Sequence, residues 1–218
     1  LHPTYLERRL GILQANPRAA LVHGAAEFID EAGKPRQGYP DLPAMPSRLQ
    51  APRSLEALLQ HNFIHQPSAL VRTSVTRQVL DRFTGSWAYA PDWFFWILHA
   101  ATGGDLLWDP ERHHKYRIHG ASLTLDPAKN SLRHAEIPLV PLCALAAAKQ
   151  YSPLASQLWM RWRKPLYRRW LACALKLRLR GPLRNEWQLL GAQACCGSAE
   201  RVSLVQELCR HGAGMVKT

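Results

Sequence analysis

Three short stretches hold the residue types from which a reaction site could be built. The first is Ala90-Pro91-Asp92-Trp93-Phe94-Phe95-Trp96, where one carboxylate precedes an aromatic run. An acid at the start of a helix is stabilised as the anion by free backbone N–H groups. It can serve as a helix cap or as a general base at a pocket wall, and position alone does not separate the two. The second is Tyr116-Arg117-Ile118-His119-Gly120, in which Arg117 and His119 fall on one face of an extended chain. That pair suits a phosphate or a metal-bound phosphate, or else a solvated edge strand. The third is Asn62-Phe63-Ile64-His65-Gln66-Pro67-Ser68, where polar groups interrupt an apolar stretch as they would in a binding loop. Local side-chain hydrogen bonds within a loop would produce the same pattern. The remaining histidines carry less. His113-His114 reads as a polar strand start, and His99 reads as a hydrogen-bonded core residue. No Gly-rich phosphate loop, HExxH or GxSxG occurs, and Asp105 and Asp109 lack the spacing of a metal pair.

The elements that must position these residues divide near 134/135. Residues 1–134 read as mixed α/β and residues 135–218 as helical. In the first part, Thr4 to Ala15 is expected to be a helix with Leu6, Leu10 and Leu13 on one face, stopped by Asn16-Pro17. Ala19 to His23 and Phe28 to Asp30 are expected to be extended, followed by a turn at 31–34. Five prolines between 35 and 53 indicate a surface loop. Ser54 is placed to cap a helix to His61. A strand over Ser68 to Arg72 and a short helix over Ser74 to Asp81 follow. Trp93 to Thr102 is apolar on nearly every side and predicts a buried helix ended by Gly103-Gly104. Leu106 to Trp108 and His113 to His119 read as two further strands. In the second part, helices are expected over 141–150, 153–180, 183–194 and 199–211, with Pro165 kinking or dividing the second.

The 218 residues carry 28 Lys and Arg against 16 Asp and Glu, a net charge of +12. Residues 1–134 hold 15 basic and 12 acidic side chains; residues 135–218 hold 13 and 4, so the excess sits in the tail. From Trp159 to Arg184 there are nine basic residues and no acid, interleaved with Trp159, Trp162, Tyr167 and Trp170. Arg and Trp on one amphipathic helix suit an anionic membrane surface. The alternatives are a helical subdomain with Trp inward and Arg outward, or, with less support, nucleic acid. The longest apolar run, about half of the ~20 residues a spanning helix needs, predicts no transmembrane helix. The five cysteines include no CxxC pair, which points to reduced thiols and a cytoplasmic protein, peripheral at the inner face of the membrane if the basic tail docks there.

Taken in order, NPRAALVHGAAEFIDEAGKP, NFIHQPSALVR, APDWFFWILHAATGG and YRIHGASLT resemble the second half of a family 2 glycosyltransferase domain. The resemblance covers about residues 2–124. It implies an α/β fold of the Rossmann-like GT-A type, here a part lacking the N-terminal nucleotide-binding half. The family's Asp-x-Asp, which holds Mg²⁺ or Mn²⁺ against a nucleotide-sugar diphosphate, would fall just before His2-Pro3. A fragment is therefore expected, inactive by itself. By the same resemblance Asp92 stands at the catalytic base, which deprotonates an acceptor hydroxyl for inverting transfer. His119 would contact metal or diphosphate, with Arg117 beside it. His65, Gln66, Ser68 and Trp93 would line the site of a glycan or lipid-linked acceptor. Two departures stand out: Pro91 replaces an acid common in the family, and Phe94 to Leu98 lacks the usual Arg. The competing expectation is a non-catalytic module whose basic tail binds membrane or nucleic acid.

Overall fold

The computed structural model describes residues 1–36, 45–83, 87, 89–120 and 130–177. Within them lie α1 (Tyr5–Ala15), β1 (Ala19–Ile29), β2 (Arg48–Leu49), α2 (Arg53–Gln60), β3 (Leu70–Val71), α3 (Thr73–Val79), α4 (Pro91–Ala101), β4 (Asp105–Arg117), α5 (Asn130–Ala148) and α6 (Pro153–Leu177). Single 3-10 turns occupy Gln66–Ser68 and Leu80–Arg82. The protein is thus α/β, with a mixed four-stranded sheet in the order β2-β4-β1-β3. β1 and β4 run parallel, and the two short strands flank them antiparallel.

The alternation of side chains along β1 and β4 assigns the two sheet faces. Leu21 and Leu106 point into the main core, which continues through α2, α4, α5 and α6. Val22 and Leu107 point the other way, onto Leu13 of α1. α4 is the centre of the main core, with Phe94, Ile97, Leu98, Ala100 and Ala101 fully buried. Gly103 ends it with φ 86, a backbone conformation that glycine adopts without strain. The expected buried helix, its glycine stop and the strand after it are therefore all present. Arg72 links the first elements: its Nε donates to the Ala19 carbonyl at 2.8 Å and its Nη2 to the carbonyls of Leu13 and Asn16.

Several expectations are corrected. α1 buries Tyr5, Arg9 and Leu13, while Leu6 and Leu10 are exposed. The sheet offers α1 a polar patch as well as an apolar one, so an arginine displaces leucine from the inner face. Ser54 is a buried first-turn residue of α2, not its cap. β1 is continuous from Ala19 to Ile29, and the two expected late strands are one strand, β4, because each pairs along the length of the other. Its start at His113-His114 is not polar surface; His114 is buried. β2 forms within the proline-rich stretch by pairing with Leu106 and Leu107. α5 begins at Asn130 rather than at Pro141 and carries Pro138 and Pro141 within it. α6 continues through Pro165. The two helices expected beyond residue 180 and residues 121–124 of the resemblance lie outside the described residues, as do Cys195, Cys196 and Cys209. Cys143 and Cys173 are free. Among the described residues no helix is long and apolar enough to cross a membrane.

β1 and β4 also bury polar groups. His23 is 1% exposed and so is His114. Arg9 is fully buried against them from α1; its Nη1 donates to the His23 carbonyl at 2.7 Å. Asp109 holds Arg8 through two 2.9 Å hydrogen bonds and lies 3.4 Å from Nη1 of Arg9. Burial, with smaller contributions from Arg9 and His65, holds the His23 imidazole down to about 3 and His114 to about 4.

Two predictions follow from this packing. In the unfolded chain these histidines protonate near pH 6.5, whereas in the native protein they stay neutral until about pH 3–4. Stability is therefore complete above pH 6.5 and is lost as the pH falls below it. With two such groups the loss should steepen between pH 6.5 and pH 4. Urea unfolding from pH 8 to pH 4 reads this directly; a flat profile would contradict the buried neutral state. The second concerns glycines. A Cβ at Gly24 would stand 2.0 Å from Nη2 of Arg9 and 2.4 Å from the Asp109 carbonyl oxygen, whereas one at Gly11 meets nothing within 4 Å. Gly24→Ala should cost about 2–4 kcal/mol. Gly11→Ala, in the exposed middle of α1, should gain about 0.5–1 kcal/mol. Chemical denaturation of the two variants tests the contrast.

Candidate functional site

Asp92 occupies the first turn of α4, whose Pro91 suits a helix start because its missing N–H has no helical partner to lose. The chain ahead of it is held by α5. Buried Glu136 accepts the backbone N–H groups of Tyr89 at 2.7 Å and Ala90 at 3.1 Å. Asp92 itself is half-buried. One carboxylate oxygen accepts the Trp93 backbone N–H at 2.8 Å and the other accepts the Asn62 side-chain N–H at 3.2 Å. Asn62 is oriented in turn by the Ile64 backbone N–H, which donates to its Oδ1 at 3.2 Å. Burial raises the Asp92 carboxyl above the usual range, and the hydrogen bonds from Trp93 and Asn62 offset only part of that rise. A carboxylate with a raised pKa and a fixed orientation is a better proton acceptor than an ordinary surface Asp.

The wall behind Asp92 is Trp93, buried, with its Nε1–H donating to the Leu58 carbonyl at 2.7 Å. The Arg169 guanidinium of α6 lies over the Trp93 ring at 5.8 Å from its centroid and donates to the Gln60 carbonyl at 2.8 Å. Burial lowers the Arg169 pKa, and it has no carboxylate partner among the described residues. Two further contacts clamp α6 to α2 nearby: Arg161 pairs with Glu56 at 2.7 Å, and the Trp162 Nε1–H reaches the same oxygen at 3.4 Å. The basic helix thus borders the candidate base.

The loop from Asn62 to Ser68 connects Asp92 to the far end of β4. His65 packs against Phe28 and Tyr116, with ring centroids at 5.5 and 5.7 Å, and burial lowers its pKa. Gln66 is exposed. Ser68 is fully buried; its hydroxyl donates to the His65 carbonyl at 2.7 Å and accepts the Gly24 N–H at 3.3 Å. Its part is to hold the loop on β1 rather than to face a ligand. Arg117 ends β4 exposed, with its guanidinium donating to the carbonyls of Asp30 and Glu31 at 3.1 and 2.7 Å. His119 lies two residues beyond, half-buried, and the Gly120 N–H after it donates to the Glu31 carboxylate at 3.1 Å. The structure therefore joins Asp92, Asn62 and Trp93 into one arrangement and sets Arg117 and His119 beside the turn after β1. Asn62, not Gln66 or Ser68, is the loop residue that touches the candidate base.

His99 fits its expected role. Its Nδ1–H donates to the Phe95 carbonyl at 2.9 Å, which leaves Nε2 to accept from Thr76 at 3.0 Å. Among the described residues no group of three or more His, Cys, Asp or Glu side chains could hold a metal ion.

Three residues of the site escaped the sequence pattern. Glu136 had a visible signal, as the one acid in an otherwise apolar run from Ala135 to Ala148. Arg169 had none, being one of nine similar basic residues. Asn62 sat in a polar loop without anything to single it out. Comparison with known proteins adds no assignment: no family model, no curated protein and no solved structure matches the chain.

Proposed function

We propose that the chain is the acceptor-side part of an inverting glycosyltransferase that uses a nucleotide-sugar donor. The observation that carries this reading is Asp92: an oriented carboxylate with a raised pKa, at the N-terminus of the buried helix α4. In the reaction Asp92 takes the proton of an acceptor hydroxyl, the oxygen attacks the anomeric carbon, and the nucleoside diphosphate leaves from the opposite face. Asn62 keeps one carboxylate oxygen in place, and Trp93 and Arg169 form the wall against which the acceptor rests. Arg117 and His119 are the candidates for the departing diphosphate, where positive charge offsets the charge that develops. By the resemblance, residues 2–124 do not include the donor-binding half with its acidic metal ligands.

The exposed face of α6 supports peripheral docking on an anionic membrane, which would bring a lipid-linked acceptor to Asp92. Gln157, Met160, Arg161, Lys164 and Arg168 recur at helical spacing along that face, while Leu158, Trp159, Leu166 and Trp170 are buried against the core. Trp159 and Trp170 thus serve packing, and Arg161, Lys164 and Arg168 face outward.

In protein carrying the donor half, Asp92→Asn should lower kcat by a factor of about 10³ or more, because it removes the group assigned to take the proton. The same substitution should raise the thermal midpoint by about 1–3 °C. A carboxyl whose native pKa is raised is destabilising while ionised, and the amide removes that charge. Wild-type turnover in Asp92→Asn would remove the base assignment. For the membrane contact, sedimentation with vesicles containing phosphatidylglycerol should fall steeply with salt and drop about tenfold in Lys164→Glu/Arg168→Glu. Equal binding to neutral vesicles would exclude an electrostatic dock.

A further inference from the structure

Arg9 poses a charge problem that the described residues do not solve. Its guanidinium is fully buried, yet its only carboxylate, Asp109, is shared with Arg8. The exposed Arg8 takes both oxygens of that carboxylate at 2.9 Å, whereas Arg9 approaches one of them at 3.4 Å. Glu111 also acts on Arg8, so the exposed arginine has two acids near it while the buried one has only the longer contact to Asp109. A buried charge without a counter-charge is among the costliest arrangements in a protein.

Several buried polar atoms of Arg9 and of the histidines near it have no hydrogen-bond partner. Nε and Nη2 of Arg9 have no partner, nor have Nδ1 of His23, Nδ1 of His65 or either ring nitrogen of His114. His23 and His114 come from neighbouring strands at the point where the ladder breaks. Gly24 stands opposite Asp109 and Ala26 opposite His114, so residues 110–113 of β4 bulge out against Ala25 alone. At this bulge the bare Cα of Gly24 lets the Arg9 guanidinium pack directly against β1. Neutral imidazoles offer N–H donors but no negative charge. Internal water would satisfy the N–H groups and leave the charge. A divalent cation is repelled by Arg9, and no metal-competent group of side chains occurs among the described residues.

We infer that the cluster of Arg9, His23 and His114 binds a chloride-sized monoanion, which supplies the counter-charge that Asp109 gives to Arg8. The site is closed to solvent, so it takes a small inorganic anion rather than a substrate. It sits beneath Ser68, whose hydroxyl ties the Asn62-to-Ser68 loop to Gly24. Occupancy therefore steadies the loop that orients Asp92, although the inference does not depend on the glycosyltransferase reading.

The test is thermal unfolding in sodium chloride against sodium gluconate at one ionic strength, with diffraction at the bromine edge from crystals grown in sodium bromide. The expected result is a midpoint that rises along a saturating curve with chloride and not with gluconate, and an anomalous peak beside Arg9. Replacing Arg9 risks unfolding, so the deciding variant is Arg8→Ala, at an exposed position. It frees both Asp109 oxygens for Arg9 and should weaken the apparent chloride affinity about tenfold or more. Equal midpoints in the two salts without a bromide peak would mean internal water only and overturn the site. A chloride response unchanged in Arg8→Ala would overturn it as well, because the anion would then not be answering the charge on Arg9.

Discussion

Parallel strands cannot be joined by a tight turn, because the chain must travel back along their full length before the second can start. β1 and β4 are paired in parallel, and residues 30–104 make that return. The crossover covers one sheet face with α2 and α4, while α1, ahead of β1, covers the other. Every candidate residue depends on this arrangement. Asp92 starts the helix that leads into β4, Asn62 follows the helix packed beside it, and Arg117 ends β4 itself. Shortening the crossover would remove Asp92 and Asn62 together.

The same pairing is interrupted at one place, and there the interior is polar. Apolar side chains fill the ladder from Leu21 and Leu106 onward, but His23, Arg9, Asp109 and His114 crowd the bulge. Burial keeps both imidazoles neutral and lowers even the Arg9 pKa, while Asp109, which burial alone would raise, is pulled below the usual range by Arg8 and Arg9. Such a cluster adds less stability than an apolar core of the same volume. What it adds is a specific join between α1, the bulge and the Ser68 turn, since charged and neutral donors here accept few alternative partners.

α5 and α6 are drawn into the catalytic question by packing rather than by sequence adjacency. Glu136 reaches from α5 to the backbone before α4, and Arg169 reaches from α6 to the Trp93 ring. Helices that share a core with α2 and α4 transmit position to the start of α4, because close-packed side chains leave little slack. The basic tail then has two roles on two faces: one locks the wall behind Asp92, and the other presents cations outward.

Much of the local structure was legible along the chain. The apolar run from Trp93 to Ala101 and the Gly103 stop marked α4, Asn16-Pro17 marked the end of α1, and Asp92 stood out as the lone acid before an aromatic helix. Local composition determines such features, since propensity, capping and turn chemistry act over a few residues. The tertiary structure alone decided the rest. Leu6 and Leu10 face outward because the sheet presents Arg9 with polar partners; β2 exists only because β4 offers it an edge; His114 is interior because β1 runs past it. Asn62 touches Asp92, and Arg169 covers Trp93, across 30 and 76 residues of chain. Contacts of that separation carry no periodic signal, because they are set by which faces pack together, and that choice is made only when the whole core assembles.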